Sequence, residues 1–365
     1  MKNSTTAGMI FILKEGLAAS HRNKLRTRLE QMGVSVKVVA GPDREYLELS
    51  GDDAPVRTLS PETWPGVERV VELSPSWPHA AWGAGSGRSA TPTLVTIGAE
   101  RVPIGPGQFT IMAGPCSVES YERTLEIARA VRDAGAQVFR AGAFKPRSSP
   151  YAFQGLGREG LEILKEVRAA AGLPIVTEVL DVRHVDEVRA CADLLQVGSR
   201  NMQNYALLKE LSQLRQPILL KRGYAATLNE FLLAAEYLLC GGNDQVILCE
   251  RGVRSAAGVD GVVLDLGTAV ELREHTHLPI VVDPSHGTGA THRVLPLARA
   301  AAAAGVDGLL VEVHTQPETA LSDGKQALTV AEFQRLVAEV VAVRAALDAV
   351  NRPSASAPLA VQRKE

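Results

Sequence analysis

From residue 108 onward, short apolar runs alternate with longer amphipathic stretches. Eight runs of four to six residues are rich in Val, Ile and Leu, which is typical of buried parallel strands. They occupy residues 109–113, 137–141, 174–178, 193–197, 217–221, 245–249, 279–282 and 308–313. Helical spacing predicts helices at 120–134, 158–171, 181–192, 229–240 and 292–304, and a last one at 329–350. Eight strands of one type favour a closed (β/α)8 TIM barrel over an open sheet.

The first 75 residues follow a different pattern, in which strands and helices occur in the order β-α-β-β-α-β. Alternating or β-branched runs predict strands at residues 9–14, 34–39, 45–49 and 67–73. Apolar spacing predicts a helix at 18–32 and a weaker one at 53–59. This order indicates a small ferredoxin-like α+β domain on the N-terminal side of the barrel.

The two patterns are separated by residues 74–93, which are rich in Pro, Gly, Ser and Ala and show no period. Such a composition indicates a linker. Two short runs at 94–97 and 101–104 then predict a hairpin that caps the N-terminal mouth of the barrel. We therefore divide the chain into a ferredoxin-like, ACT-like regulatory domain (1–75), a linker with the capping hairpin (76–107), a catalytic barrel (108–350) and a disordered tail (351–365).

Composition and charge exclude several classes of protein. The formal net charge is −2, which argues against an extended nucleic-acid surface. Neither a signal peptide nor an apolar stretch of about 18 residues is visible, so no membrane association is expected. The four cysteines lack CxxC spacing, so we expect thiols in a reducing cytoplasm rather than a disulfide framework.

Metal-binding side chains concentrate where the predicted barrel strands end, which is where such barrels carry their catalytic groups. One thiol, one imidazole and two carboxylates form the predicted ligand set: Cys116, His286, Glu312 and Asp323. The thiol argues against magnesium or calcium, and the carboxylates fit manganese or iron at least as well as zinc. A buried core thiol is an equally good interpretation of Cys116 alone, but four donors together favour a metal site.

A second group at the same strand ends is cationic, in a chain that is otherwise slightly acidic: Arg140, Lys145, Arg147, Arg200, Lys221 and Arg251. One phosphate needs about two or three such cations. Six therefore indicate a phosphate and a carboxylate, with a second phosphate nearby, although any single one could be a solvated rim charge. Together with a Lewis acid, they indicate a small phosphorylated acid that meets a metal-polarised carbonyl.

The segments that carry these residues resemble the 3-deoxy-D-arabino-heptulosonate 7-phosphate (DAHP) synthases, specifically the short-barrel subgroup with an N-terminal ferredoxin-like regulatory domain. The resemblance covers residues 9 to about 347. Its segments are 113–119 (AGPCSVE), 145–155 (KPRSSPYAFQG), 200–204 (RNMQN), 220–223 (LKRG), 283–286 (DPSH) and 321–325 (LSDGK). Ser148 stands where the family usually has Thr, and it retains the hydroxyl.

The resemblance implies a transferase, 3-deoxy-7-phosphoheptulonate synthase. Such an enzyme condenses phosphoenolpyruvate with erythrose 4-phosphate to give DAHP and phosphate, the first step of the shikimate pathway of aromatic amino acid biosynthesis. The implied catalytic residues are Lys145, Cys116 and His286. Manganese is the implied ion, with iron, cobalt, zinc and cadmium as alternatives.

The resemblance also implies which residues bind the two substrates. They are Arg140, Lys145, Pro146, Arg147, Ser148, Arg200, Lys221 and Arg251. Arg200 and Arg251 would hold the phosphate of phosphoenolpyruvate. Arg147 and Ser148 would hold that of erythrose 4-phosphate. A homotetramer is implied as well, and the ferredoxin-like domain is expected to bind an aromatic amino acid effector such as tyrosine or phenylalanine, unless it serves assembly alone.

Two alternatives remain open at this stage. The first is 3-deoxy-D-manno-octulosonate 8-phosphate synthase, which uses the same enol donor. Its acceptor loop typically reads Lys-Ala-Asn-Arg-Ser-Ser, whereas residues 145–149 here are Lys-Pro-Arg-Ser-Ser. The second is a non-catalytic sensor of aromatic amino acids that has kept the barrel. Turnover of phosphoenolpyruvate with a divalent ion would exclude the second alternative.

Overall fold

The structure is a computed structural model, and it describes residues 8–41, 44–51, 53–72, 76–82, 91–256 and 261–351. The chain divides into two compact units, Met1–Thr91 and Pro92–Glu365. Residues 352–365 of the predicted tail and residues 83–90 of the predicted linker lie outside the described residues. Within the linker, residues 76–82 are described, and Trp77 and Ala80 are buried. No helix of the described residues is both long and apolar enough to cross a membrane.

The first unit contains one four-stranded antiparallel sheet with the strand order β2-β3-β1-β4. Its elements are β1 Met9–Leu13, α1 Ala19–Gln31, β2 Ser35–Ala40, β3 Glu45–Ser50, α2 Ala54–Arg57 and β4 Val67–Glu72. Alternation buries Met9, Phe11 and Leu13 on one face of β1, where they pack with Leu29 of α1. This confirms the ferredoxin-like order, although the second helix is only one turn long.

The second unit begins with the antiparallel hairpin β5 Val95–Ile97 and β6 Val102–Ile104. Val95, Ile97 and Ile104 belong to one core cluster with side chains from the barrel strands, among them Met112. The hydroxyl of Thr110, at the start of the first barrel strand, donates a hydrogen bond of 2.6 Å to the carbonyl of Pro103. The hairpin therefore closes the N-terminal end of the barrel.

Eight parallel strands close the predicted barrel in the order in which they occur along the chain. They are β7 Thr110–Gly114, β8 Val138–Arg140, β9 Ile175–Glu178, β10 Leu194–Val197, β11 Ile218–Lys221, β12 Val246–Glu250, β15 Ile280–Val282 and β16 Gly308–Glu312. Most of their residues are buried, which is why they read as continuous apolar runs. A short hairpin, β13 Val253–Arg254 with β14 Val262–Val263, follows β12 and was not predicted.

Helices follow the barrel strands along the chain. They are α3 Tyr121–Asp133, α4 Arg158–Ala171, α5 Val185–Arg189, α6 Tyr205–Ser212, α7 Leu228–Cys240, α8 Leu266–His275, α9 Pro284–Thr288, α10 Thr291–Ala303 and α11 Val330–Asn351. Polar caps fix several of their first turns: Ser120 accepts the N–H of Arg123, and Thr227 forms a capping box with Glu230. The predicted helix 181–192 is a 3-10 turn followed by the shorter α5.

Candidate active site

A cavity of about 420 Å³ opens at the carboxyl ends of the barrel strands. Its wall contains every predicted substrate contact: Arg140, Lys145, Pro146, Arg147, Ser148, Arg200, Lys221 and Arg251. Of the predicted metal ligands, His286 and Asp323 also line it. The barrel therefore brings together, in one concave site, side chains that are far apart in the sequence.

Three predicted ligands converge at the junction of the first and last barrel strands. Cys116, Glu312 and Asp323 each offer a donor atom, and these atoms all lie within 4.8 Å of one another. The Cys116 thiol donates to Asp323 Oδ2 at 3.1 Å. Glu312 ends β16 and pairs with Gly114 at the end of β7, so closure of the barrel places it beside Cys116.

His286 joins this group from the first turn of α9. Asp283 caps that helix: its Oδ1 accepts the backbone N–H of His286 at 2.9 Å, and its Oδ2 lies 2.7 Å from Nδ1. Because the carboxylate can only accept, Nδ1 donates to Asp283, and Nε2 is the ring nitrogen left to bind a metal ion. Nε2 lies 3.2 Å from Glu312 Oε1. A carboxylate behind a histidine is the usual arrangement at protein metal sites.

These four donors fit a divalent ion. The Cys116 sulfur lies 3.1 Å from Asp323 Oδ2, and His286 Nε2 lies 3.2 Å from Glu312 Oε1. A divalent ion between these atoms would take the place of the proton that the thiol shares with Asp323, and bonds of about 2.0–2.3 Å to nitrogen, oxygen and sulfur span separations of this order. The mixture of thiol, imidazole and carboxylate suits a transition metal better than magnesium or calcium.

Burial and neighbouring charges control protonation here. Burial raises the pKa of the Cys116 thiol to about 12, and the Glu312 carboxylate adds to this effect. Burial also acts to raise the pKa of Glu312, but the nearby His286 and Arg140 lower it below its ordinary value. Asp283 is buried as well, yet His286 and Lys221 hold the pKa of its carboxyl well below the usual range. Metal-free protein at neutral pH therefore combines a protonated thiol with ionised carboxylates.

The predicted cations differ in how they are held. Three form ion pairs inside the site: Arg140 with Glu312 at 2.9 Å, Arg147 with Asp323 at 3.3 Å, and Lys221 with Asp283. Lys145 donates to the Cys116 carbonyl at 2.9 Å. Within the part of the chain that the structure describes, Arg200 and Arg251 have no carboxylate partner. With Lys145, these two guanidinium groups are the cations of the cavity wall that lack a carboxylate partner among the described residues.

A buried network behind the cavity orders two of its loops. The guanidinium of Arg222 donates to Glu250 at 2.9 Å, to Asp265 at 3.0 Å and to the carbonyl of Ala226 at 2.9 Å. Glu250 in turn accepts the backbone N–H of Gly252 at 2.6 Å. These contacts connect the loop after β11 with the loop after β12, which carries Arg251.

The sequence interpretation gave no role to several residues of the site: Glu178, Gln196, Tyr224, Asp283 and Gln326. Glu178 ends the third barrel strand, so its position was a usable signal. Asp283 directly precedes Pro284 at a helix start, which is a recognisable capping pattern. Gln326 donates to Glu312 at 2.6 Å, and nothing in the local sequence indicates that contact.

Comparison with protein families shows two matches that together cover most of the chain. Residues 92–348 match the model described as the DAHP synthetase I family. Residues 9–75 match the model described as the DAHP synthase ferredoxin-like domain.

Individual proteins and structures agree with these matches. Phospho-2-dehydro-3-deoxyheptonate aldolase of Thermotoga maritima is 42% identical over 332 residues, which cover 91% of this chain and 96% of that protein. The crystal structure of this DAHP synthase from Thermotoga maritima has a TM-score of 0.82 at 40% identity, and covers 93% of this chain and 98% of its own. A 2-dehydro-3-deoxyphosphooctonate aldolase of Acidithiobacillus ferrooxidans is 33% identical, and covers 63% of this chain and 87% of its own.

Proposed function

The chain belongs to the DAHP synthetase I family and is a 3-deoxy-7-phosphoheptulonate synthase, and on that premise we propose that it uses phosphoenolpyruvate, erythrose 4-phosphate and a divalent ion at the cavity described above. One observation carries the proposal. Six cations and two of the four potential metal ligands, His286 and Asp323, line a single cavity of about 420 Å³. The other two ligands lie directly beside them, Cys116 against Asp323 and Glu312 against His286. Two phosphorylated substrates and a polarised carbonyl require this combination of groups.

Some cations of the cavity wall are paired with carboxylates and others are not, and this difference supports a specific placement of the enol substrate. Arg200 and Arg251 are free of carboxylate partners among the described residues, so they are available to bind the phosphate of phosphoenolpyruvate. Lys221 and Lys145, which also line the cavity, would bind its carboxylate side. Arg147 and Ser148 stand on the loop after β8 and would take the phosphate of the aldose.

The metal ligands would be Cys116, His286, Glu312 and Asp323. When bound, the ion supplies Lewis-acid polarisation of the aldehyde carbonyl. Manganese is our first expectation, because two of the four donors are carboxylates and the thiol argues against magnesium. Asp283 would orient His286 through Nδ1, and Arg140 would balance the charge of Glu312.

The proposed reaction needs no strong base, because the enol phosphate is already nucleophilic at C3. A carbon–carbon bond forms between C3 and the aldehyde carbon, whose oxygen takes up a proton. Water adds its oxygen to C2, one of its protons goes to the aldehyde oxygen and the other to the leaving phosphate, and the C2–O bond to phosphate breaks. Phosphate leaves with the electron pair of that bond. The chain's cations hold both phosphates and the carboxylate throughout, which fixes the reacting carbons at close range.

A direct test follows the ultraviolet absorbance of the enol in chelator-treated protein that has been reloaded with manganese. We expect consumption of phosphoenolpyruvate only when the ion and erythrose 4-phosphate are both present. Arabinose 5-phosphate serves as the alternative acceptor. Equal turnover without any divalent ion would contradict the metal site, and turnover only with the five-carbon sugar would contradict the proposed acceptor.

A matched pair of arginine variants tests the acceptor site. Arg147→Ala should raise KM for erythrose 4-phosphate and leave KM for phosphoenolpyruvate unchanged. Arg158→Ala is the control, since Arg158 is an exposed residue of α4 that pairs with Glu187. If both variants behaved alike, Arg147 would not bind the aldose phosphate.

We also propose that residues 9–75 bind an aromatic amino acid, that the protein is a homotetramer, and that it acts in the cytoplasm. The match to the DAHP synthase ferredoxin-like domain supports the first part. The tetramer is proposed from the family resemblance alone, and four cysteines that form no disulfide among the described residues suit a reducing compartment. Inhibition assays with tyrosine and phenylalanine test the effector, and sedimentation tests the subunit number. A flat response to both amino acids would argue against the regulatory role.

A further inference from the structure

The ring of Tyr224 lies among three arginines at the mouth of the cavity. The guanidinium carbons are 4.3 Å from the ring centroid for Arg251, 5.5 Å for Arg200 and 5.8 Å for Arg254. A cation within about 6 Å of an aromatic face is attracted by the negative face of the ring. Tyr224 itself lines the cavity. One ring is therefore shared by the two guanidinium groups of the cavity wall that lack a carboxylate partner among the described residues.

Two hydrogen bonds hold the backbone at Tyr224 in place. The N–H of Gly223 donates to the Met202 sulfur at 3.0 Å, next to the turn that carries Arg200. The Tyr224 carbonyl accepts the N–H of Arg254 at 2.7 Å. The loop after β11 is thus tied both to the loop of Arg200 and to the hairpin that follows Arg251.

An aromatic partner differs from an acidic one in its effect on anion binding. Lys221, Arg140 and Arg147 are held by carboxylates, which neutralise part of their charge. A carboxylate beside Arg200 or Arg251 would compete with an incoming phosphate. The tyrosine ring attracts a guanidinium without carrying a net charge, so it can order the side chain and leave its positive charge available.

We propose that Tyr224 is a positioning residue that preorganises Arg200 and Arg251 for the phosphate of the enol substrate. This inference rests on the proposed function for the identity of that substrate. In the absence of an anion, the guanidinium groups repel one another, and each long side chain has many rotamers. The ring offsets the repulsion and limits the rotamers, so that less conformational entropy is lost when the phosphate binds. Tyr224 sets affinity for the phosphate and takes no part in bond making.

The test compares Tyr224→Leu with Tyr224→Phe in the full-length, manganese-loaded protein. Calorimetry with inorganic phosphate measures the anion site directly, and steady-state kinetics separate KM from kcat. Tyr224→Leu should bind phosphate about tenfold more weakly, because about 1.4 kcal/mol, which is of the order of one cation–π contact, corresponds to a factor of ten in affinity. KM for phosphoenolpyruvate should rise by a similar factor, whereas kcat and KM for erythrose 4-phosphate should stay within about twofold.

Two controls separate the ring from the fold. Tyr224→Phe keeps the aromatic face and should restore wild-type phosphate affinity. Tyr205→Leu is the matched control, because Tyr205 stacks on Tyr237 and does not line the cavity. Thermal unfolding checks that each variant is folded. If Tyr224→Leu does not fold, Tyr224→Met takes its place in the same comparison.

Several results would overturn the proposal. Unchanged phosphate affinity in Tyr224→Leu would show that the ring does not order the arginines. An equal loss in Tyr224→Phe would assign the effect to the hydroxyl, and a parallel fall of kcat and of affinity for both substrates would indicate general damage. Failure of the proposed function is distinguishable, since wild-type protein would then bind phosphate but would not consume phosphoenolpyruvate.

Discussion

The two ends of the barrel are built from the same eight strands, yet the side chains buried at one end are apolar and many of those buried at the other are ionisable. At the N-terminal end, Val95, Ile97 and Ile104 of the hairpin pack in an apolar cluster with strand residues such as Leu219 and Ile247. The carboxyl end instead contains buried ionisable groups, among them Arg140, Lys221, Asp283 and Glu312. One end is a hydrophobic core, and the other is a charged site.

This difference separates the two roles of the barrel: the apolar end mainly stabilises the fold, and the charged end mainly determines activity. Burial of apolar side chains lowers the free energy of the folded state without requiring a particular geometry. Buried charges must each find a partner, and removing one partner leaves the other uncompensated. Substitutions at the N-terminal end should therefore change stability alone, whereas those at the carboxyl end should change activity first.

The largest expected effect is that of Cys116→Ala at the carboxyl end. Loss of a metal ligand should reduce metal-dependent turnover by at least about a thousandfold, equivalent to about 4 kcal/mol of transition-state stabilisation. The enol absorbance assay and the metal content of the purified protein measure it. Cys191→Ala is the control, because that buried thiol contacts the Leu161 carbonyl far from the cavity wall. Wild-type activity in Cys116→Ala would refute the ligand assignment.

Asp283→Asn should lower both activity and stability, because Asp283 lies between Lys221 and His286 and is fully buried. Loss of the carboxylate that orients a metal-binding histidine reduces activity or metal affinity by about 10- to 100-fold. The unpaired Lys221 should lower the free energy of unfolding by about 3–5 kcal/mol. Kinetics and chemical denaturation measure the two changes.

The control for this variant is Asp186→Asn, whose carboxylate forms an exposed pair with Arg189. Exposed pairs contribute about 0–1 kcal/mol, so both measurements should remain close to wild type. If Asp283→Asn were as mild as Asp186→Asn, the buried pair would have no part in the site.

Ile97→Ala tests the opposite end. Ile97 is fully buried in the hairpin cluster, and truncation should lower the free energy of unfolding by about 2–5 kcal/mol. kcat and both KM values should not change. Val102→Ala is the matched control, since Val102 is only partly buried against the same cluster and should have a smaller effect. A selective loss of activity in Ile97→Ala would mean that the two ends are coupled.

The smallest expected effect is a difference in the pH dependence of stability. The pKa values of Asp283, Glu312 and Asp323 are lowered in the folded protein. Their stabilising contribution is fully present above the ordinary carboxyl pKa of about 4 and is lost as the pH falls through the lowered values. In metal-free protein, Asp283→Asn should therefore reduce the acid dependence of unfolding, whereas Ile97→Ala should lower stability equally at each pH. Parallel curves for both variants would contradict this distinction.

The order of strands and helices could be predicted because it depends on local periodicity. The eight apolar runs, the helix at Arg158–Ala171 and the β-α-β-β-α-β order of the first unit were all visible in the spacing of apolar residues. The same periodicity placed Cys116, His286 and the cations at strand ends, where chemistry is expected. The short α9, which carries His286, was missed, since five residues are too few to show a helical period.

The sequence by itself therefore determined the kind of fold and the chemical inventory of the site, because both follow from residues that are neighbours along the chain. Only the tertiary structure decided which charges are paired, that Asp283 lies between Lys221 and His286, and that Tyr224 lies beside Arg200 and Arg251. These contacts join loops that meet only when the barrel closes. No local pattern encodes them, since each depends on the angle and register at which distant strands come together.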